Sequence, residues 1–194
     1  MEKKKIAADL YDFDKTVFYS DSGIQFWRFC IKKRPWLILY FPAQIVGGIL
    51  FWFDIGTSAR AKSLLTCFLK AIPWKKMVQE FWEENEKNIF PFFRPENRVR
   101  PAVVCSASLD FWIRPICDKM GVEKLVCTRY DTKTHTILTE NCKGKEKLRR
   151  LMKECKDYRF VNAYTDSESH DKYMISLAEH AYLVRDGKVI KQIK

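Results

Sequence analysis

Apolar positions fall along this chain in two rhythms. Short, nearly unbroken apolar runs at residues 6–16 (IAADLYDFDKT), 102–105 (AVVC), 124–128 (KLVCT), 159–164 (RFVNAY) and 181–184 (AYLV) have the form of parallel strands buried on both faces. Between them, apolar residues spaced three and four apart predict helices over 109–120, closed by Gly121, over 145–155 and over 172–180. The turn Asp131-Thr132-Lys133-Thr134 between β-rich arms predicts a small hairpin, and 189–193 a short edge strand. Alternating strands and helices imply a Rossmann-like α/β fold: a parallel sheet with right-handed crossovers and helices on both faces.

The first strand is separated from the second by a long stretch of helical character. Residues 20–97 are therefore expected to form a helical cap inserted into a core domain made of 1–19 and 98–194. Within the cap, 61–72 (AKSLLTCFLKAI) and 74–88 (WKKMVQEFWEENEKN) are amphipathic, and Pro91, Pro95 and Pro101 punctuate the return to the core. Residues 35–53 (PWLILYFPAQIVGGILFWF) carry no charge and approach the roughly 20 residues needed to cross a bilayer.

Composition narrows the class. With 194 residues there is room for one core and a modest cap, and 47% hydrophobic residues with no repeat mark a globular chain. Seven cysteines, odd in number and without Cys-x-x-Cys spacing, read as small buried hydrophobes in a reducing compartment. The start MEKKK has no apolar signal core, which leads us to expect a cytoplasmic protein. A net charge of +11 favours an anionic partner: a phosphorylated substrate or an anionic membrane surface. No zinc-finger spacing or RNA-binding aromatic motif accompanies it, so nucleic acid is not expected.

The chemistry sits where apolar strands end, the edge at which open α/β sheets bind ligands. Asp12 and Asp14 follow the first run. A carboxylate there can attack phosphorus, and a second acid can protonate the leaving group and later activate water. Two close carboxylates repel each other, which a divalent cation between them would relieve.

The string Asp12-Phe13-Asp14-Lys15-Thr16-Val17 resembles the first motif of the haloacid dehalogenase superfamily of phosphohydrolases, departing at Lys15, where glycine is usual. Three later elements match the remaining motifs in order. Ser106 after AVVC, with Ser108 as its neighbour, resembles the second, whose hydroxyl binds a phosphoryl oxygen. Asn141-Cys142-Lys143-Gly144-Lys145-Glu146-Lys147 is similar to the NCxGxEK string of phosphoserine-phosphatase-like members. That register makes Lys147 the catalytic lysine, with Lys143 and Lys145 as rivals. Asp166 in Tyr164-Thr165-Asp166-Ser167 resembles the fourth. Its second acid is usually four residues on, where this chain has His170, and a one-residue bulge would bring Asp171 to the site instead.

The resemblance implies a Mg²⁺-dependent phosphomonoesterase with an aspartyl-phosphate intermediate. Its metal would be held by Asp12, Asp14 through its carbonyl, Asp166 and Asp171, and its substrate bound by Thr16, Asp21 and Ser108. Asp21 stands about where phosphoserine phosphatases place a glutamate that reads the substrate amine. The cap resembles that of the phosphatidylglycerophosphatase C enzymes in Arg34-Pro35, Ala59-Arg60-Ala61, the Gly-x-Glu-Lys element and the Tyr-x-Asp-Ser element. This implies a lipid phosphate as substrate, with a soluble phosphoserine-like metabolite as the alternative. A catalytically weak phosphate-binding member and a phospho-accepting receiver domain are the competing classes. The second is disfavoured by the Asp-x-Asp spacing and the long insertion.

Chain order constrains the apolar stretch. One crossing at 35–53 would leave Asp12 across the bilayer from Ser106, Lys147 and Asp166. The remaining possibilities are a buried cap helix or an interfacial hairpin. We expect the hairpin, broken near Pro42 or Gly47-Gly48, with Lys32, Lys33, Arg34, Arg60 and Lys62 near anionic head groups at the cytoplasmic face.

Overall fold

The computed structural model describes residues 5–53 and 55–194. Six strands form one sheet: β1 (Ile6–Tyr11), β2 (Ala102–Leu109), β3 (Val122–Thr128), β6 (Tyr158–Thr165), β7 (Ala178–Arg185) and β8 (Lys188–Gln192). Their order across the sheet is β3-β2-β1-β6-β7-β8, parallel except for β8, which returns antiparallel beside β7. A separate hairpin pairs β4 (Tyr130–Asp131) with β5 (Thr136–Ile137) around the expected turn.

Alternation along the strands feeds two cores. Ala102 and Val104 of β2 join Tyr11 on one face, while Val103 and Cys105 join Ala8 and Leu10 on the other. Leu151 of α6 (Lys145–Glu154) and Met174 of α7 (Glu168–Ile175) complete the second core. The first is shared by Ile113 and Ile116 of α5 (Asp110–Lys119) with Phe26 and Phe29 of α1 (Ser22–Lys33) and Met77 and Phe81 of α4 (Trp74–Asn85). The hydrophobic packing is thus continuous between the core domain and the first and last cap helices.

Three elements differ from the sequence reading. The first strand stops at Tyr11, because pairing with β2 and β6 ends there and Thr16, Val17 and Phe18 all turn their N–H groups onto the Phe13 carbonyl. The last helix begins at Glu168, where the Ser167 hydroxyl caps the His170 N–H, and ends at Ile175. Residues 178–180, expected in that helix, belong to β7, since Ala178 and His180 pair with Phe160 and Asn162.

The third difference is the apolar stretch. Pro35–Tyr40 winds as a 3-10 helix and leads directly into α2 (Phe41–Trp52), which is unbroken at Pro42 and at Gly47-Gly48. Pro42 lies in the first turn, where a missing N–H costs nothing. The hairpin is therefore absent. So is the buried cap helix, since only Leu37, Gln44 and Gly47 are buried between Pro35 and Trp52. The neighbour of α2 is α3 (Ser58–Leu65).

Candidate active site

The turn after β1 sets the first two acids on the carboxyl edge of the sheet. Lys15 takes a left-handed backbone (φ 61°), which lets the chain double back so that Asp12 and Asp14 both face the cavity. That conformation is the one glycine adopts freely, which accounts for the usual residue at this place.

Lys147 reaches this edge from the first turn of α6. Gly144, at φ 55° and ψ −125°, makes the bend that starts the helix, a backbone closed to residues with a Cβ. The ammonium donates to Asp12 Oδ1 at 2.6 Å and Asp171 Oδ1 at 2.7 Å, with all three side chains buried. Asp171 Oδ2 accepts from the Thr165 hydroxyl at 2.6 Å. Of the rival lysines, Lys143 lines the cavity without an acid partner among the described residues, and Lys145 points to solvent. Asp171 is buried and paired with Lys147, while His170 is exposed, although both line the cavity.

Asp12, Asp166 and Asp171 each bring a carboxylate oxygen within 4.8 Å of the others. Burial, reinforced by Asp171, raises both Asp12 and Asp166 above the usual carboxylate range, with Lys147 pulling Asp12 the other way. For Lys147, burial opposes the charge, but Asp12 and Asp171 together hold the ammonium above the ordinary lysine range. A single ammonium among three acids leaves negative charge uncompensated. An all-oxygen donor set of this kind suits Mg²⁺, which keeps several of its waters.

Asp14 is held differently. It accepts from the Ser22 N–H and the Ser108 hydroxyl, both at 2.6 Å. Burial and the charge of Asp21 raise its pKa, against those two hydrogen bonds. Ser106 and Ser108 sit where the pairing of β2 with β3 slips, and a bulge of this kind re-aims side chains. The Ser106 hydroxyl accepts from the Ser108 N–H at 3.0 Å.

The other two residues expected to contact substrate, Thr16 and Asp21, differ in where they lie. Thr16 is fully buried and does not line the cavity, its hydroxyl donating to Asp12 Oδ2 at 3.4 Å. Asp21 does line the cavity, but its Oδ1 caps α1 through the Ile24 N–H at 2.9 Å.

Lys62, expected near head groups, instead points inward from α3. Its ammonium donates to the Ala107 carbonyl at 2.5 Å and Asn141 Oδ1 at 2.7 Å, bridging the cap to the loops of the second and third motifs. Burial lowers it to about 8. Nothing in its local pattern signals this, because the burial comes from core loops distant in sequence. Trp112, also not singled out in the sequence, lines the same cavity, and its buried indole N–H has no partner among the described residues.

The cavity holding these groups has a volume of about 710 Å³. Acids and lysines line it together with Trp27, Phe41, Ile45, Phe51, Leu65 and Phe68 of the cap.

The carboxyl edge of the sheet thus presents two acids on one turn, a buried lysine between two of three clustered carboxylates, and strand-end serines, an arrangement that fits an α/β hydrolase. Residues 10–175 match the family model of the haloacid dehalogenase-like hydrolases, and the chain belongs to that family. The fold is similar to a Bordetella pertussis Tohama I protein of unknown function, with a TM-score of 0.74 at 16% identity over 92% of this chain and 90% of that one. It is also similar to a phosphoserine phosphohydrolase-like protein from Francisella tularensis (TM-score 0.59, 15% identity, 92% and 86% covered). A probable phosphoserine phosphatase from Vibrio cholerae gives a TM-score of 0.64 at 14% identity, covering 92% of this chain and 55% of that one. No curated protein matches the chain in sequence.

Proposed function

We propose that this protein is a Mg²⁺-dependent phosphomonoester hydrolase working through a phospho-Asp12 intermediate on a lipid phosphate. The observation that carries the chemistry is the ammonium of Lys147 bound to both Asp12 and Asp171 beside Asp166. In this reading an Asp12 carboxylate oxygen attacks phosphorus, and the bond to the leaving alkoxide breaks as Asp14 gives it a proton. Asp14 then takes a proton from water as that water attacks the phosphoryl group and frees Asp12. An acid held above its usual pKa by burial is suited to the first of these tasks. Lys147, Ser106 and Ser108 meet the phosphoryl oxygens, whose charge a fixed ammonium in a water-poor site stabilises strongly. Asp12, the carbonyl of Asp14, Asp166 and Asp171 would hold Mg²⁺, which neutralises phosphate charge when bound.

The lipid side of the proposal rests on the cap residues Trp27, Phe41, Ile45, Phe51, Leu65 and Phe68, which give the cavity a largely apolar lining. Phosphatidylglycerophosphate is the lipid phosphate suggested by the resemblance of the cap, and a cytoplasmic protein acting at the membrane face is the setting.

The test is turnover of p-nitrophenyl phosphate with Mg²⁺, followed by detergent-dispersed phosphatidylglycerophosphate against phosphoserine. We expect activity that disappears with EDTA and in Asp12→Asn, and a preference for the lipid. Residual turnover in folded Asp12→Asn overturns the covalent route. A preference for phosphoserine overturns the lipid reading alone.

A further inference from the structure

Helix α2 is inside out. A cap helix of a water-soluble protein turns its large apolar residues inward. Here the side facing α3 is made of Gln44 and Gly47, while Ile45, Val46, Ile49 and Trp52 point outward. Gln44 is spent on hydrogen bonds, accepting from the Trp27 indole N–H at 3.0 Å and donating to the Leu65 carbonyl at 3.3 Å. Gly47 lets the helices close together: a Cβ there would lie 2.8 Å from Leu64 Cβ and 2.9 Å from the Ala61 carbonyl oxygen. Small residues and buried polar links are how helices associate where hydrophobic burial between them gains nothing, that is, in lipid.

The preceding 3-10 turn and the end of α2 extend the same surface. Leu39 is 76% exposed, Trp52 84% and Phe53 67%. Basic groups border it: Lys32, Arg34 and Arg60 have no acid partner among the described residues, whereas Lys33 is tied to Glu80 and Glu84. Phe41, Ile45 and Phe51 belong both to this exposed surface and to the cavity wall, so the cavity opens onto it. Together Pro35–Tyr40 and α2 make 18 continuous helical residues, long and apolar enough by length and composition to cross a membrane, with 17% of them buried. A crossing would leave Asp12 on the opposite side of the bilayer from Ser106, Lys147 and Asp166, so the stretch is placed in the interface.

We infer that the outer face of Pro35–Phe53 docks on an anionic lipid bilayer, and that the Phe41–Ile45–Phe51 lip admits a lipid phosphate sideways from that bilayer to Asp12. The occupant is the bilayer and not a second copy of the chain, because the unpaired bordering charges among the described residues, Lys32, Arg34 and Arg60, are basic and two like faces would bring them together. The route of the substrate rests on the lipid reading above. The docking itself does not.

The experiment is flotation of the full chain with phosphatidylcholine vesicles, with and without phosphatidylglycerol, beside the triple variant Leu39→Glu, Ile49→Glu, Trp52→Glu. None of these three residues lines the cavity. Wild type should float with the anionic vesicles. The variant should partition about tenfold less or worse, as charges on an interfacial apolar face do, while its turnover of p-nitrophenyl phosphate stays that of wild type. Wild type that remains unbound overturns the docking, as does a variant that floats equally well. Sedimentation velocity showing a dimer that the triple variant dissolves assigns the face to a second copy and also overturns it. Flotation of a protein that ignores lipid phosphates but hydrolyses the aryl ester retains the docking and removes only the substrate route.

Discussion

Lys15 bears a cost that a neighbouring residue type would not. At φ 61° a side chain with a Cβ is strained by about 1–2 kcal/mol, and a β-branched one more. Lys15→Val is therefore expected to lower the melting temperature by several degrees, and Lys15→Gly to leave it level or raise it, as thermal unfolding by circular dichroism will read. The lysines of the third motif separate as clearly. Lys147→Ala removes the ammonium shared by Asp12 and Asp171, and kcat should fall by about 10²- to 10³-fold, the loss typical of one preorganised charge-stabilising donor. Lys143→Ala, which breaks no ion pair among the described residues, should cost at most a few-fold in the same assay. A Lys143 variant more damaged than the Lys147 one would mean that the ammonium in the ion pairs is structural.

Among the elements, α2 is held to α3 by contact at a residue with no side chain. Gly47→Val forces its Cβ onto the Ala61 carbonyl, which belongs to backbone and cannot swing away. We expect a loss of about 1–3 kcal/mol in urea unfolding, the usual penalty of overpacking, and cap residues that become protease-sensitive first. Gly48→Ala, with open space at its Cβ, is the matched control. These contacts also mark what the sequence could and could not disclose. The strands were legible because burial on both faces leaves little choice but short apolar runs, and the acids were legible because they terminate such runs. The apolar block was legible as a block, but its orientation was not. Which side of α2 faces α3 depends on Ala61 and Leu64, residues of another helix, and hydropathy alone points the wrong way. Lys62 and Trp112 escaped for the same reason, and β7 began earlier than its local pattern because β6 supplies the pairing partners for Ala178 and His180.

For the molecule as a whole, buried thiols make alkaline pH hostile. Burial pushes Cys30 and Cys127 up to about 12 and Cys155 up to about 11, against roughly 8.5 in an unfolded chain. The folded state keeps protons that the unfolded state releases. The stability these groups contribute is thus complete below about 8.5 and is lost as pH rises toward 11 to 12. Lys62 acts in the opposite sense. Its folded pKa is depressed to about 8, so stability is regained as pH climbs from there toward the unfolded lysine value near 10.4. Urea midpoints should fall from pH 8 to pH 10 in the wild type and fall more steeply in Lys62→Met. A wild-type midpoint that rises over that range contradicts the thiol assignment, and equal slopes in the two proteins contradict that of Lys62.

The position of β1 has a consequence for how the protein is born. It precedes the other strands of its sheet and lies in the middle of it, yet its partners are β2, beginning at Ala102, and β6, ending at Thr165. On a ribosome adding about 5–20 residues per second, Tyr11 waits many seconds for Tyr164. Meanwhile α2, with its outward apolar face, has already been made. Asp166 and Asp171 come later still, so under the proposed mechanism a nascent chain that already carries Asp12 stays inert until synthesis has passed them.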